Sequence, residues 1–245
     1  MTSLSNNGSA TLYGIGIGPG DPELLTLKAH RLITATPVIA YPAPDEGDSF
    51  TREIVASYLD GMDKEEILIR MPMRADRFPA QEVYDRTRDD LARHLESGRD
   101  VAYLCEGDPF FYGSFMYLYS RMVDDFHVEI VPGVSSIMAG GAALGAPLAS
   151  RNDTLTILPG PIDADELKSR LLATDAAVII KVGRHFEKIR GVLAECGLLD
   201  NARYIEHATL ENEHVLKLDE VYPDTGRIPY FSMIFIHKRG AAWKI

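Results

Sequence analysis

Cysteine is scarce in this chain, with only Cys105 and Cys196 among 245 residues. That excludes a disulfide-held scaffold and fits a reducing cytoplasm. Basic residues are short too: 25 Lys and Arg stand against 36 Asp and Glu, for a net charge of −11. A nucleic-acid partner calls for the opposite excess, since the phosphate backbone supplies most of such affinity. The same sign argument disfavours an anionic membrane surface. A small anionic substrate is compatible with this balance only if a few arginines are gathered in one place. No apolar run approaches the ~20 residues of a membrane helix. Met1 to Ala10 has neither a basic start nor an apolar stretch, so no secretory signal is expected.

Several catalytic templates are also missing. There is no H-E-x-x-H, although His207 and His214 stand near Glu206, Glu211 and Glu213, and no G-x-S-x-G elbow or phosphate-loop lysine. Seven scattered histidines fit surface or packing positions better than metal ligands. Cys105, closing an apolar strand, reads as core rather than nucleophile.

What is present is a rhythm of short β-rich run, Gly or Pro loop, and helical pattern, in a chain with 20 Gly and 14 Pro. Thr11 to Gly16 reads as a strand, and Asp21-Pro22-Glu23 as the capped start of a helix carrying Leu25, Ala29, Leu32 and Ile33 on one face. Strand Val38 to Tyr41, a single helix Ser49 to Leu59, strand Glu66 to Arg70 and helix Ala80 to Glu96 follow. After strands Val101 to Leu104 and Val128 to Val131, a small-residue helix runs to Leu144. Gly145-Ala146-Pro147 is the expected domain boundary, giving domains 1–145 and 146–245. The second half restarts the alternation and ends in strand Phe231 to His237, with Val215 to Leu218 as its expected partner. The predicted class is α/β in two domains, the first with a mostly parallel sheet and the second with a mixed one.

Three loops follow a strand and precede a helix: Gly14-Ile15-Gly16-Ile17-Gly18-Pro19-Gly20, Glu106-Gly107-Asp108-Pro109 and Pro132-Gly133-Val134-Ser135-Ser136. In a parallel sheet such loops emerge together at the carboxyl edge, where ligands bind at the switch in strand order. Glycine permits close backbone approach, and helix starts offer free N–H groups. The first loop is not a dinucleotide fingerprint. Read as G-x-G-x-x-G from Gly14, its sixth position is Pro19; read from Gly16, it is Asp21. Composition and spacing alone stop at an α/β enzyme or binding protein with an unidentified small ligand.

The loop residues themselves go further. Gly16-Ile17-Gly18-Pro19-Gly20-Asp21-Pro22-Glu23-Leu24-Leu25-Thr26 resembles the opening signature of the tetrapyrrole methylases. Glu106-Gly107-Asp108-Pro109-Phe110-Phe111-Tyr112-Gly113 and Val131-Pro132-Gly133-Val134-Ser135-Ser136 resemble the second and third. Lys181-Val182-Gly183-Arg184, Ala208-Thr209-Leu210-Glu211-Asn212-Glu213 and Pro229-Tyr230-Phe231-Ser232-Met233 resemble later motifs in the same order. Tyr41-Pro42-Ala43-Pro44, Ser49-Phe50-Thr51-Arg52 and Met71-Pro72-Met73 are most similar to the branch that methylates C-20 of precorrin-2.

That resemblance implies two α/β domains with S-adenosyl-L-methionine, the methyl donor, folded in a cleft between them, in a homodimer without protein-bound metal. It implies that Pro19 lines the cofactor pocket, with Glu106, Gly107, Asp108 and Phe111 as its wall. Ser135 and Ser136 would hold the methionine part, and Val182, Ala208 and Thr209 the adenine side. Glu106 departs from the glycine many members carry there, which leaves its role open. The tetrapyrrole substrate bears many carboxylates; Arg52, Arg74 and Arg184 are the arginines expected to meet them. The alternatives are a cobalt-containing substrate, another methylated position, or a protein that binds without turnover.

Overall fold

The computed structural model describes residues 10–71, 77–221 and 228–240, with side chains from 81 onward in the long helix that opens at 77. The chain forms two compact units, 1–135 and 136–245.

In the first unit, strands β1 (Thr11–Gly16), β2 (Val38–Pro44), β3 (Glu65–Met71), β4 (Val101–Cys105) and β5 (His127–Val131) form an all-parallel sheet in the order β3-β2-β4-β1-β5. β4 is buried at every position, as expected of a strand covered on both faces. Alternate residues feed separate cores. Leu12, Val38, Ala40, Val101 and Tyr103 face helices α4 (Arg77–Glu96) and α5 (Phe115–Met122). Ile15, Ile39, Tyr41, Ala102 and Leu104 face α1 (Leu27–Ala35), α2 (Phe50–Ile54) and α3 (Ala56–Leu59). This split follows from the right-handed crossover rule. The β1-to-β2 and β2-to-β3 connections run one way along the sheet and the β3-to-β4 and β4-to-β5 connections the other, so their helices cover opposite faces.

Two local details differ from the sequence reading. Asp21 caps only a 3₁₀ turn, Pro22–Leu24, by accepting from Glu23 N at 2.8 Å; Leu25 is then extended, and Thr26 Oγ1 caps α1 by accepting from Ala29 N at 3.1 Å. The expected single helix 49–59 breaks at Val55 (φ −101°, ψ 7°) into α2 and α3. The break turns Ile54, Val55 and Leu59 together into one core.

In the second unit, β6 (Leu155–Pro159), β7 (Ala176–Ile180), β8 (Ala202–Glu206), β9 (His214–Lys217) and β10 (Ser232–His237) form a mixed sheet in the order β6-β7-β10-β8-β9. The expected pairing of β9 with β10 is corrected here. β10 lies antiparallel between β7 (Met233↔Ile180) and β8 (Ser232↔Glu206), and β9 pairs with β8 instead (Arg203↔Lys217). Burial explains the choice: all six residues of β10 are buried, which suits a central strand, whereas β9 is mostly exposed and takes the edge. Helices α7 (Ala164–Leu172) and α8 (Phe186–Glu195) cover one face. The other face carries α6 (Ser136–Leu144), whose Ile137 packs with Val178, Ile180, Ile205, Met233 and Phe235. A Cβ on Gly140 would stand 2.6 Å from the Phe235 ring, so glycine lets the helix lie close. The units thus part between Ser135 and Ser136, upstream of the Gly145-Ala146-Pro147 turn. Among the described residues no helix is long and apolar enough to cross a membrane.

Candidate functional site

The strand order of the first unit switches at β4: the chain leaves both of its neighbours, β2 and β1, in one direction along the sheet and leaves β4 in the other. Ligands of open α/β sheets bind outside such a point. Around it stand the loops after β4, β1 and β5, three neighbours in the sheet. The ladder continues past the strands, with Ile17 N donating to Cys105 O at 2.9 Å and Gly107 N to Gly18 O at 2.8 Å. Gly18 and Gly107 take left-handed conformations, φ +82° and +63°, available to glycine without steric cost.

Three glycines make this convergence possible. A Cβ on Gly16 would meet Gly107 O at 2.5 Å and Gly133 N at 2.6 Å, and one on Gly133 would meet Gly107 O at 2.1 Å. Gly107 itself is open on its Cβ side, with only Val134 O at 4.0 Å, so the loop presents bare backbone there. Asp108 fastens the assembly. Its Oδ2 accepts from Gly133 N at 3.1 Å and its Oδ1 from Phe110 N at 2.9 Å. Phe111 is 36% exposed and sits edge-on to Tyr112, a non-glycine residue held at φ 55°.

The structure therefore brings Pro19, Glu106, Gly107, Asp108 and Phe111 to the ends of adjacent strands. Ser135 closes the first unit, and Ser136 opens α6 in the second. Cys105, just before this edge, is buried, and burial pushes its thiol well up, which suits the packing role read from the sequence.

Sequence reasoning missed the partner of Glu106. Thr51, fully buried in α2, donates its hydroxyl to Glu106 Oε1 across 55 residues of chain. No local feature of the sequence marks this pair, which lies 55 residues apart. Ser49 caps α2, accepting from Arg52 N at 3.2 Å while donating to Pro42 O at 2.5 Å. Arg52 is held by Glu66 through two contacts, Nε to Oε2 at 2.8 Å and Nη2 to Oε1 at 3.2 Å. Tyr41 Oη also donates to Glu66 Oε2, at 2.6 Å. Burial, then this bond to a carboxylate, pushes the Tyr41 phenol up to about 12. Arg74 lies outside the described residues, with Pro72 and Met73.

In the second unit the carboxyl ends of β6, β7 and β8 share one edge, with β10 running antiparallel between the latter two. Val182 is fully buried after β7, and Ala208 is buried after β8. Beside them Lys181 (φ 57°), His207 (φ 51°) and Thr209 (φ 72°) hold left-handed backbone that non-glycine residues adopt at a cost of roughly 1–2 kcal/mol each. The surroundings impose it: His207 N donates to Phe231 O at 2.9 Å and Thr209 N to Glu213 Oε2 at 2.6 Å. Arg184 is exposed, and burial together with Lys188 and Arg184 pulls the His185 imidazole below its usual value.

The sequence matches the model of the Tetrapyrrole (Corrin/Porphyrin) Methylases over residues 11–221. The chain belongs to this family. It is 40% identical over 233 residues to the cobalamin biosynthesis protein CobIJ of Mycobacterium tuberculosis, covering 92% of this chain but 46% of that protein, so it spans about half the length of that relative. It is 38% identical over 241 residues to a precorrin-2 C(20)-methyltransferase of a Sinorhizobium species, covering 95% of this chain and 97% of the other. Among solved structures, the uroporphyrin-III C-methyl transferase of Thermus thermophilus complexed with S-adenyl homocysteine superposes with a TM-score of 0.67 at 24% identity, over 92% of this chain and 97% of that one. That likeness shows the fold: two α/β domains of the methylase type.

Proposed function

We propose that this methylase transfers a methyl group from S-adenosyl-L-methionine to C-20 of precorrin-2, giving precorrin-3A in cobalamin biosynthesis. The observation that carries the reading is the nearly end-to-end match to the Sinorhizobium C(20)-methyltransferase. The S-adenyl homocysteine held by the Thermus relative, the demethylated form of the donor, supports the cofactor.

The residues present fit such a ligand, because the bare backbone at Gly107 admits close approach where any side chain would intrude. When bound, the donor supplies a sulfonium-activated methyl group, so it carries the difficult chemistry. The protein's work is to bring carbon and methyl to about 3–3.5 Å and to exclude water. In our reading Pro19, Gly107, Asp108 and Phe111 line the donor, Ser135 and Ser136 hold its methionine part, and Val182, Ala208 and Thr209 meet its adenine. Both Asp108 oxygens are occupied by backbone N–H groups, so this carboxylate braces the loops rather than moving a proton. Arg184 is proposed to meet a substrate carboxylate, as is Arg52, whose guanidinium is already oriented by Glu66. The family reading also makes the chain a cytoplasmic homodimer acting on a tetrapyrrole without protein-bound metal.

Mass spectrometry of precorrin-2 incubated with purified protein and the donor tests the assignment. The expected product is one methyl group heavier. Tight binding of S-adenosylhomocysteine with no methylated product, from either metal-free or cobalt-containing substrate, would replace the enzyme by a binding protein.

A further inference from the structure

The reading above leaves the proton of the methylated carbon without an acceptor. Forming the new C–CH3 bond breaks the bond from methyl to sulfur, which keeps the electron pair. The carbon must then release its hydrogen as a proton while the C–H pair returns to the conjugated macrocycle. Two carboxylates stand at the switch point of the first unit, and their surroundings differ. Asp108 has one backbone N–H on each oxygen. Glu106 is half-buried, and only its Oε1 is engaged, by the buried Thr51 hydroxyl; among the described residues Oε2 has no hydrogen-bond partner.

We propose that Glu106 Oε2 takes the proton released by the methylated carbon, and that Thr51 is the positioning residue that aims it. This rests on the methyltransferase reading given above. Glu106 directly follows β4 at the strand-order switch, so its backbone is fixed by the ladder on one side and by the bond from Gly107 N to Gly18 O on the other. Thr51 is equally constrained, between the capping Ser49 and the anchored Arg52 of a five-residue helix. A hydroxyl held there donates to Oε1 whether the carboxyl is ionised or protonated, so Oε2 stays directed in both states. A positioned general base contributes about 10²–10⁴-fold.

Glu106→Gln keeps the shape and the Thr51 contact but cannot accept the proton. We expect its kcat to fall at least ~100-fold, with KM for precorrin-2 and Kd for S-adenosylhomocysteine (by calorimetry) within about threefold of wild type. With precorrin-2 deuterated at C-20, the variant shows a larger primary isotope effect than wild type, because C–H cleavage has become the slow step. Thr51→Val lowers kcat roughly tenfold, by the loss of orientation, and Thr51→Ser restores it. Normal kcat in Glu106→Gln overturns the proposal. So does a defect confined to S-adenosylhomocysteine affinity, which would make Glu106 a wall of the donor site, or a Thr51→Val enzyme with normal kcat. A wild-type protein that binds the donor product but methylates no carbon removes the proposed function itself, and is read before any variant is made.

Discussion

Gly133→Ala tests whether close glycine packing holds the three loops together. The added methyl would stand 2.1 Å from Gly107 O and 2.8 Å from both the carbonyl carbon and Cα of Gly16. All three are backbone atoms at strand ends, so none can swing aside as a side-chain tip would. Overpacking of this kind costs about 1–3 kcal/mol, and the upper end applies because two loops must move. Moving Gly133 also strains its N–H bond to the Asp108 carboxylate, a charge-assisted contact worth roughly 1.5–3 kcal/mol if lost. A total of at least ~3 kcal/mol lowers Tm by at least about 6 °C for a chain of this size. Gly107→Ala is the matched control. Its methyl meets nothing nearer than Val134 O at 4.0 Å, so only the left-handed backbone opposes it, at φ +63°, about 1–2 kcal/mol. Differential scanning calorimetry paired with titration of S-adenosylhomocysteine should therefore separate the two: Gly133→Ala loses more stability, and Gly107→Ala loses affinity in excess of its stability cost. A Gly133→Ala protein melting within about a degree of wild type would refute the packing argument.

Two other predictions concern buried polar groups. The Asp153 side chain is fully buried and accepts from Ser150 N at 2.9 Å and Ser150 Oγ at 3.1 Å, with His237 Nε2 at 3.2 Å and Arg239 also on the carboxylate; Asp153→Asn should cost roughly 3 kcal/mol, and a urea midpoint equal to wild type would contradict this. The Tyr41 phenol is raised from about 10 unfolded to about 12 folded, so its contribution is complete below pH 10 and is lost as pH rises through 12. Stability should fall more steeply across that window in wild type than in Tyr41→Phe, and parallel curves would show that the phenol is not held by Glu66.

Much of this was legible in the residues because glycine and proline mark backbone geometry directly. The Gly16, Gly107 and Gly133 loops could be placed at one edge from strand-loop-helix order alone, and the structure shows why each is glycine. Local signals that compete were harder to read. Asp21 and Thr26 are both good caps, and only the extended Leu25 between them decides that α1 starts at the second. Long-range choices left no trace at all. Nothing near Val215 shows that β8 will take it as partner in place of β10; that depends on which strand the helices bury. The Thr51 to Glu106 bond is of the same kind, since a threonine in a short helix carries no mark of a carboxylate 55 residues on.

Methylation at C-20 is tested by carbon NMR of the product made from precorrin-2 with a ¹³C-labelled methyl donor. One labelled methyl group coupled to C-20 is expected. A label on any other carbon would contradict that assignment while leaving the fold and family as they stand.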